Sequence, residues 1–118
     1  MVVKNHKELI AWQKGMDLVE SVYKVTAQYP KEEQYGLTSQ SRRAAISIPS
    51  NIAEGHSRNH RAEYRQSVYI AIGSLAELET QLYAAREVEL LRDEYLAPVF
   101  ARIDRLRAML ITLGRKLA

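Results

Sequence analysis

Two stretches of the chain carry apolar residues alternately three and four apart without a break. Tyr64, Val68, Ala71, Leu75, Leu78, Leu82 and Ala85 form one row, and Leu96, Val99, Ile103, Leu106, Leu110, Leu113 and Leu117 form the other. Such spacing puts each row on one face of a helix, and an apolar face must find partners. The first stretch of the chain carries two rows side by side: Leu9, Trp12, Met16, Val19 and Tyr23, then Leu18, Val22, Val25 and Tyr29. Pro30 ends that helix, because the residue before a proline is pushed out of the helical region. No segment alternates with period two, so strands are not expected.

A further helix starts at Leu37 or Thr38 and contains a proline, in the run SIPSNIAEG over residues 47–55. Wound at about 100° per residue, it puts Leu37, Ser41, Ala44, Ala45, Ile48 and Ile52 on one small apolar face. Gln40, Ser47, Asn51 and Glu54 form a polar row beside it, bordered by Arg43. Pro49 is expected to kink the helix and leave the Ala45 carbonyl short of a partner, with Ser47 and Asn51 placed to compensate. Gly55 suits the left-handed position past a helix end. Glu54 faces the negative end of the helix dipole, so it needs a cation from Arg43, Arg58 or Arg61.

The connections are short: residues 30–36 after the first helix, 56–59 after the second and 88–92 after the third. Short links make antiparallel neighbours. Asp93 is the expected N-cap of the last helix, with Pro98 near its first turns. The expected fold is all-α: one domain over residues 1–118, an antiparallel up-down-up-down four-helix bundle with a proline-kinked second helix. Gly73, inside the third helix, is expected to permit close helix approach.

Chemistry-bearing constellations are sparse. The chain has no cysteine, which removes disulfides and cysteine-ligated metals. His56 and His60 are four apart but fall around an expected helix end and lack a zinc-protease glutamate, so they read as loop histidines. Glu77 and Glu79 are two apart and point in different directions. There is no G-x-S-x-G elbow and no glycine-rich phosphate loop. Catalytic, cofactor-binding and metal-binding residues are therefore all expected to be none, with no small-molecule substrate. No apolar run approaches the roughly 18 residues of a membrane span, and the first residues do not read as a signal peptide. A cytoplasmic protein is expected.

Charge is uneven. Residues 38–65 hold five basic and two acidic residues, 66–101 two and six, and 102–118 five and one. Arg58, Arg61 and Arg65 recur at three and four, which puts them on a face at the start of the third helix. With Arg42, Arg43, Arg102 and Arg105 they are candidates for phosphate contact. Ordinary salt bridging between the acidic third helix and its neighbours is the alternative, and dipole complementarity accounts for Arg115 and Lys116. The two apolar rows on the first helix exceed what one core-facing stripe requires. Val22, Val25 and Tyr29, with Ile46, Pro49 and Ala53, are candidates for an oligomer interface. The alternative is a helix that is simply well buried.

Three blocks resemble one family: P-K-E-E-x-Y-G-L-T-x-Q over residues 30–40, R-R-A-A-x-S-I-P-x-N-I-A-E-G over 42–55 and G-S-L-A-E-L-E-T over 73–80. Leu9, Ala11, Trp12 and Gln13 match the same pattern. The family is that of the proteins encoded in intervening sequences of bacterial 23S ribosomal RNA genes, which includes the accessory variability determinant of diversity-generating retroelements. The resemblance implies a homopentamer of four-helix bundles, no catalytic activity, and association with structured RNA or with a reverse transcriptase and its template. The motif itself maps onto Gln40, Arg42, Arg43, Ser47, Pro49, Asn51, Glu54 and Gly55. The leading expectation is a non-enzymatic homo-oligomer that binds RNA or DNA through a repeated arginine face. The alternative is a protein-interaction scaffold acting through a partner such as a reverse transcriptase.

Overall fold

The computed structural model describes residues 5–118. Four helices make the body: α1 (Ile10–Thr26), α2 (Ser39–Ser57), α3 (Arg61–Glu87) and α4 (Asp93–Lys116). They contact in cyclic order, α1 on α2, α2 on α3, α3 on α4 and α4 on α1. The links at 58–60 and 88–92 reverse the chain each time, which gives the up-down-up-down bundle, 44 × 23 × 20 Å. The α1–α2 connection is itself coiled, a 3-10 turn at Lys31–Glu33 running into a wide π-type turn at Gln34–Thr38.

The α3 row is buried from Val68 to Ala85, with Tyr64 half-buried at its start. The α4 row is buried from Leu96 to Leu110. Beyond that the row slips: Leu113 and Leu117 are half-exposed and Gly114 takes the inward place. A helix of 3.6 residues per turn drifts against a 3.5-residue repeat, and the drift shows by the last turns. Each fully buried leucine contributes about 2 kcal/mol of transfer free energy.

α1 corrects an expectation. Val22 is 0% exposed and Val25 and Tyr29 are 7% exposed, all inside the chain's own core. Of the two rows, the one with Leu18 and Val22 faces inward, so these residues are closed to a second copy. Pro49 is also buried, packed on Gly15, where an added Cβ would lie 3.4 Å from the proline Cβ. Ile46 is 43% exposed and Ala53 half-buried.

α2 runs through Pro49 as one helix. The neighbouring side chains do not serve the Ala45 carbonyl. Ser47 donates to the Ala44 carbonyl at 2.8 Å, and Asn51 donates to the Ser47 carbonyl at 2.8 Å. Gly55 also departs from expectation. It lies inside α2, and no glycine has positive φ. Its role is contact: a Cβ there would sit 2.5 Å from Ser67 Cβ and 3.3 Å from Tyr64 Cα. The left-handed residue after α2 is Asn59, at φ 59°. Gly73 meets open space, so close approach belongs to Gly55, Gly15 and Gly114 instead. Arg92, not Asp93, is the N-cap of α4, and Asp93 is the first helical residue.

Candidate nucleic-acid interface

The topology gives the two ends of the bundle different charge. One end holds residue 5 onward, the α2–α3 link and the last turn of α4. There Arg58, Arg61, Arg65, Arg115 and Lys116 face only Glu54 and Glu63, while Lys7 and Glu8 cancel. The other end holds the α1–α2 connection and the α3–α4 link. Glu32, Glu33, Glu87, Glu89, Asp93 and Glu94 there are balanced by Lys24, Lys31, Arg42, Arg43, Arg86 and Arg92.

The seven candidate arginines fall into three places. Arg58 stands just past α2 and not on α3. It pairs with Glu54 at 3.4 Å and approaches Glu63 at 4.0 Å, with all three side chains about half-exposed. Exposed pairs of this kind contribute little to stability. This is the cation that Glu54 required. Arg61 opens α3 and donates to the Lys116 carbonyl of α4. Arg65 lies one turn on, its guanidinium 5.2 Å from the centre of the Tyr69 ring.

Arg42 and Arg43 lie near the start of α2, and Arg42 is engaged in the fold. Its Nε donates to the Thr26 hydroxyl at 2.9 Å, and its guanidinium lies 4.3 Å from the Tyr23 ring centre. Arg43 is exposed and has no partner among the described residues. Arg102 and Arg105 flank a groove between α4 and α1 with Lys14, Asp17 and Glu20. Arg102 donates to Ser21 Oγ at 2.7 Å. The carboxylates in that groove make it mixed in charge.

The motif row of α2 is half-open. Ser47 and Asn51 are half-buried, whereas Gln40 and Glu54 are exposed. His56, expected in a loop, lies in α2 with its ring edge-on to Tyr64 at 5.5 Å, while His60 is the N-cap of α3. Among the described residues no three metal-capable side chains cluster, and no helix is long and apolar enough to cross a membrane. Burial raises the Tyr64 phenol. Tyr29, at the opposite end, is pushed up to about 12 by burial first and the Glu33 carboxylate second.

The model of 23S rRNA-intervening sequence proteins matches residues 7–112. The chain belongs to this family. A crystal structure of a protein of unknown function from the S23 ribosomal protein family of Bacteroides thetaiotaomicron superposes with a TM-score of 0.83. It is 19% identical, with 90% of this chain and 96% of that one covered, so the likeness shows the fold. No curated protein matches.

In this member of the family, one pairing went unread in the sequence. Arg107 of α4 is about three-quarters buried and pairs with Glu79 of α3 at 2.7 Å and with Asp104 at 3.0 Å. The acidity of α3 was the available signal. Glu79 finds its partner across the bundle, as the salt-bridging alternative anticipates.

Proposed function

We propose that this member of the 23S rRNA-intervening sequence protein family is a homo-oligomer that associates with RNA through its basic end and performs no catalysis. The observation that carries the reading is the charge asymmetry along the bundle, with Arg58, Arg61 and Arg65 at one pole. The family's link to ribosomal RNA genes supports RNA as the polymer. A ring repeats that pole in every copy, and repetition multiplies weak phosphate contacts through effective concentration.

The face between copies is the outer side of α1 and α2. Trp12, Met16, Val19 and Tyr23 line α1 there, and Ile46 and Ala53 line α2. The Arg42 stack on Tyr23 and the Gly15 contact with Pro49 bring the two rows side by side. This replaces the buried Val22, Val25 and Tyr29 as the α1 contribution. A ring of five is the multiplicity the family resemblance implies. Light scattering is then expected to give roughly five times the 13.5 kDa chain mass, and Ile46→Glu with Met16→Glu to give a folded monomer. Binding of structured RNA is expected at low salt and is lost steeply as salt rises. No binding to structured RNA, duplex or single strand at low salt overturns the reading.

The same apolar face also supports the second reading, a scaffold for a protein partner such as a reverse transcriptase. That reading requires nuclease-resistant capture of that partner by the wild-type chain and its loss in the Ile46→Glu, Met16→Glu variant.

A further inference from the structure

At the basic end the last turn of α2, the first turn of α3, the end of α4 and Asn5 enclose a hollow of about 650 Å³. Its polar lining comes from Asn5, His56, Ser57, Asn59, His60, Arg61 and Tyr64. We propose that this hollow holds a phosphate group of the bound nucleic acid, a step that rests on the function proposed above.

The lining is rich in hydrogen-bond donors and includes no carboxylate side chain. The two acids close by in sequence, Glu54 and Glu63, are turned onto Arg58 at 3.4 and 4.0 Å, which partly neutralises them. A site lined this way suits an anion and not a metal cation. Arg61 is held in place by donating to the Lys116 carbonyl. A guanidinium has five N–H groups in a planar fork, so others remain for phosphate oxygens. His56 is steadied by the edge of the Tyr64 ring. The Tyr64 hydroxyl is buried and has no hydrogen-bond partner among the described residues. His60 gives α3 no side-chain cap, which leaves first-turn amides at the rim. The hollow exceeds a bare phosphate and suits a sugar-phosphate unit. That unit comes either from a strand end or from an internal phosphodiester.

The test measures anisotropy of one 3′-labelled single-stranded RNA, prepared with a 5′-phosphate or a 5′-hydroxyl. It is read on the wild type, Arg61→Gln, His60→Ala and Arg65→Gln. Arg65→Gln removes the same charge as Arg61→Gln but from outside the hollow. A strand-end site gives about tenfold tighter binding of the phosphorylated RNA. Arg61→Gln and His60→Ala erase that preference, and Arg65→Gln keeps it. An internal-phosphodiester site binds both RNAs equally, and Arg61→Gln and His60→Ala each weaken both by more than Arg65→Gln does. The proposal is overturned if neither hollow variant differs from Arg65→Gln and uridine monophosphate moves no His56 or His60 imidazole resonance. If no RNA binds but uridine monophosphate does move those resonances, the hollow stands and the proposed RNA function falls.

Discussion

The two ends of the bundle are built from the same parts and differ in what those parts meet. Each is turned by a link whose left-handed residue is not glycine: Asn59 at φ 59° at the basic end, Glu89 at φ 58° at the opposite end. Each carries arginines over aromatic rings, Arg65 over Tyr69 at one end, and Arg86 over Tyr83 and Arg92 over Tyr95 at the other. Each has a half-buried or buried tyrosine whose hydroxyl has no partner, Tyr64 and Tyr29. The difference is the carboxylates. Arg86 and Arg92 stand among Glu87, Glu89, Asp93 and Glu94, and Arg92 pairs with Glu94 at 3.3 Å. Arginine content alone therefore does not mark a phosphate-binding surface. The balance of neighbours does.

The sharpest way to break this comparison is to remove arginines from one end at a time. Arg58/Arg61/Arg65→Ala is expected to weaken single-stranded RNA binding on the order of 100-fold at low salt. It should also flatten the slope of log affinity against log salt by about 2. Arg86/Arg92→Ala should leave affinity within about threefold, measured in the same titration. Equal losses from both ends would show that polarity plays no part.

Next in size is packing. Gly55→Ala, near the basic end, drives a Cβ into Ser67 and is expected to cost about 1–3 kcal/mol in chemical denaturation. Gly73→Ala, on α3 where an added Cβ meets open space, should gain up to about 1 kcal/mol from helix propensity. The links come next. Glu89→Gly is expected to raise stability by up to about 1 kcal/mol, because it removes the Cβ that is strained at positive φ. Asn59→Glu should lower it by a similar amount, since asparagine tolerates that region better. Thermal melts of the two variants should move in opposite directions.

The smallest effect concerns the tyrosines. Tyr29 is raised from 10 to about 12 in the folded chain, so between those values the unfolded chain loses its proton first. Stability therefore holds below pH 10 and falls as pH climbs from 10 towards 12. Tyr29→Phe should make the denaturation midpoint less sensitive to pH in that window while changing it little at pH 7, because the hydroxyl has no partner to lose. Tyr64→Phe is expected to do the same more weakly, as burial alone raises Tyr64 and no carboxylate adds to it.

The bundle was legible because α3 and α4 each carry one apolar row, leaving a single way to face inward. α1 was harder for a physical reason: both its rows are apolar. Val22 turns inward and Tyr23 stays 39% exposed beneath Arg42, a choice made by the other helices and not by α1's own pattern. Gly55 read as a helix stop because glycine suits the left-handed position past a helix end. Its actual neighbour, Ser67, is twelve residues away and only folding reveals it. The arginine row at 58, 61 and 65 was visible as spacing. Which cations are already occupied was not, since Thr26 and Ser21 lie far from Arg42 and Arg102 in sequence.

The lengthwise polarity has a consequence for assembly. In the ring proposed above, with its axis along the rods, the basic ends would crowd onto one rim and work against the apolar faces proposed to join the subunits. A polyanion draped over that cationic rim would lift the opposition. Subunit cohesion and polymer capture then become one linked equilibrium: dilution should loosen the grip on the polymer, and the polymer should hold together rings that would otherwise come apart.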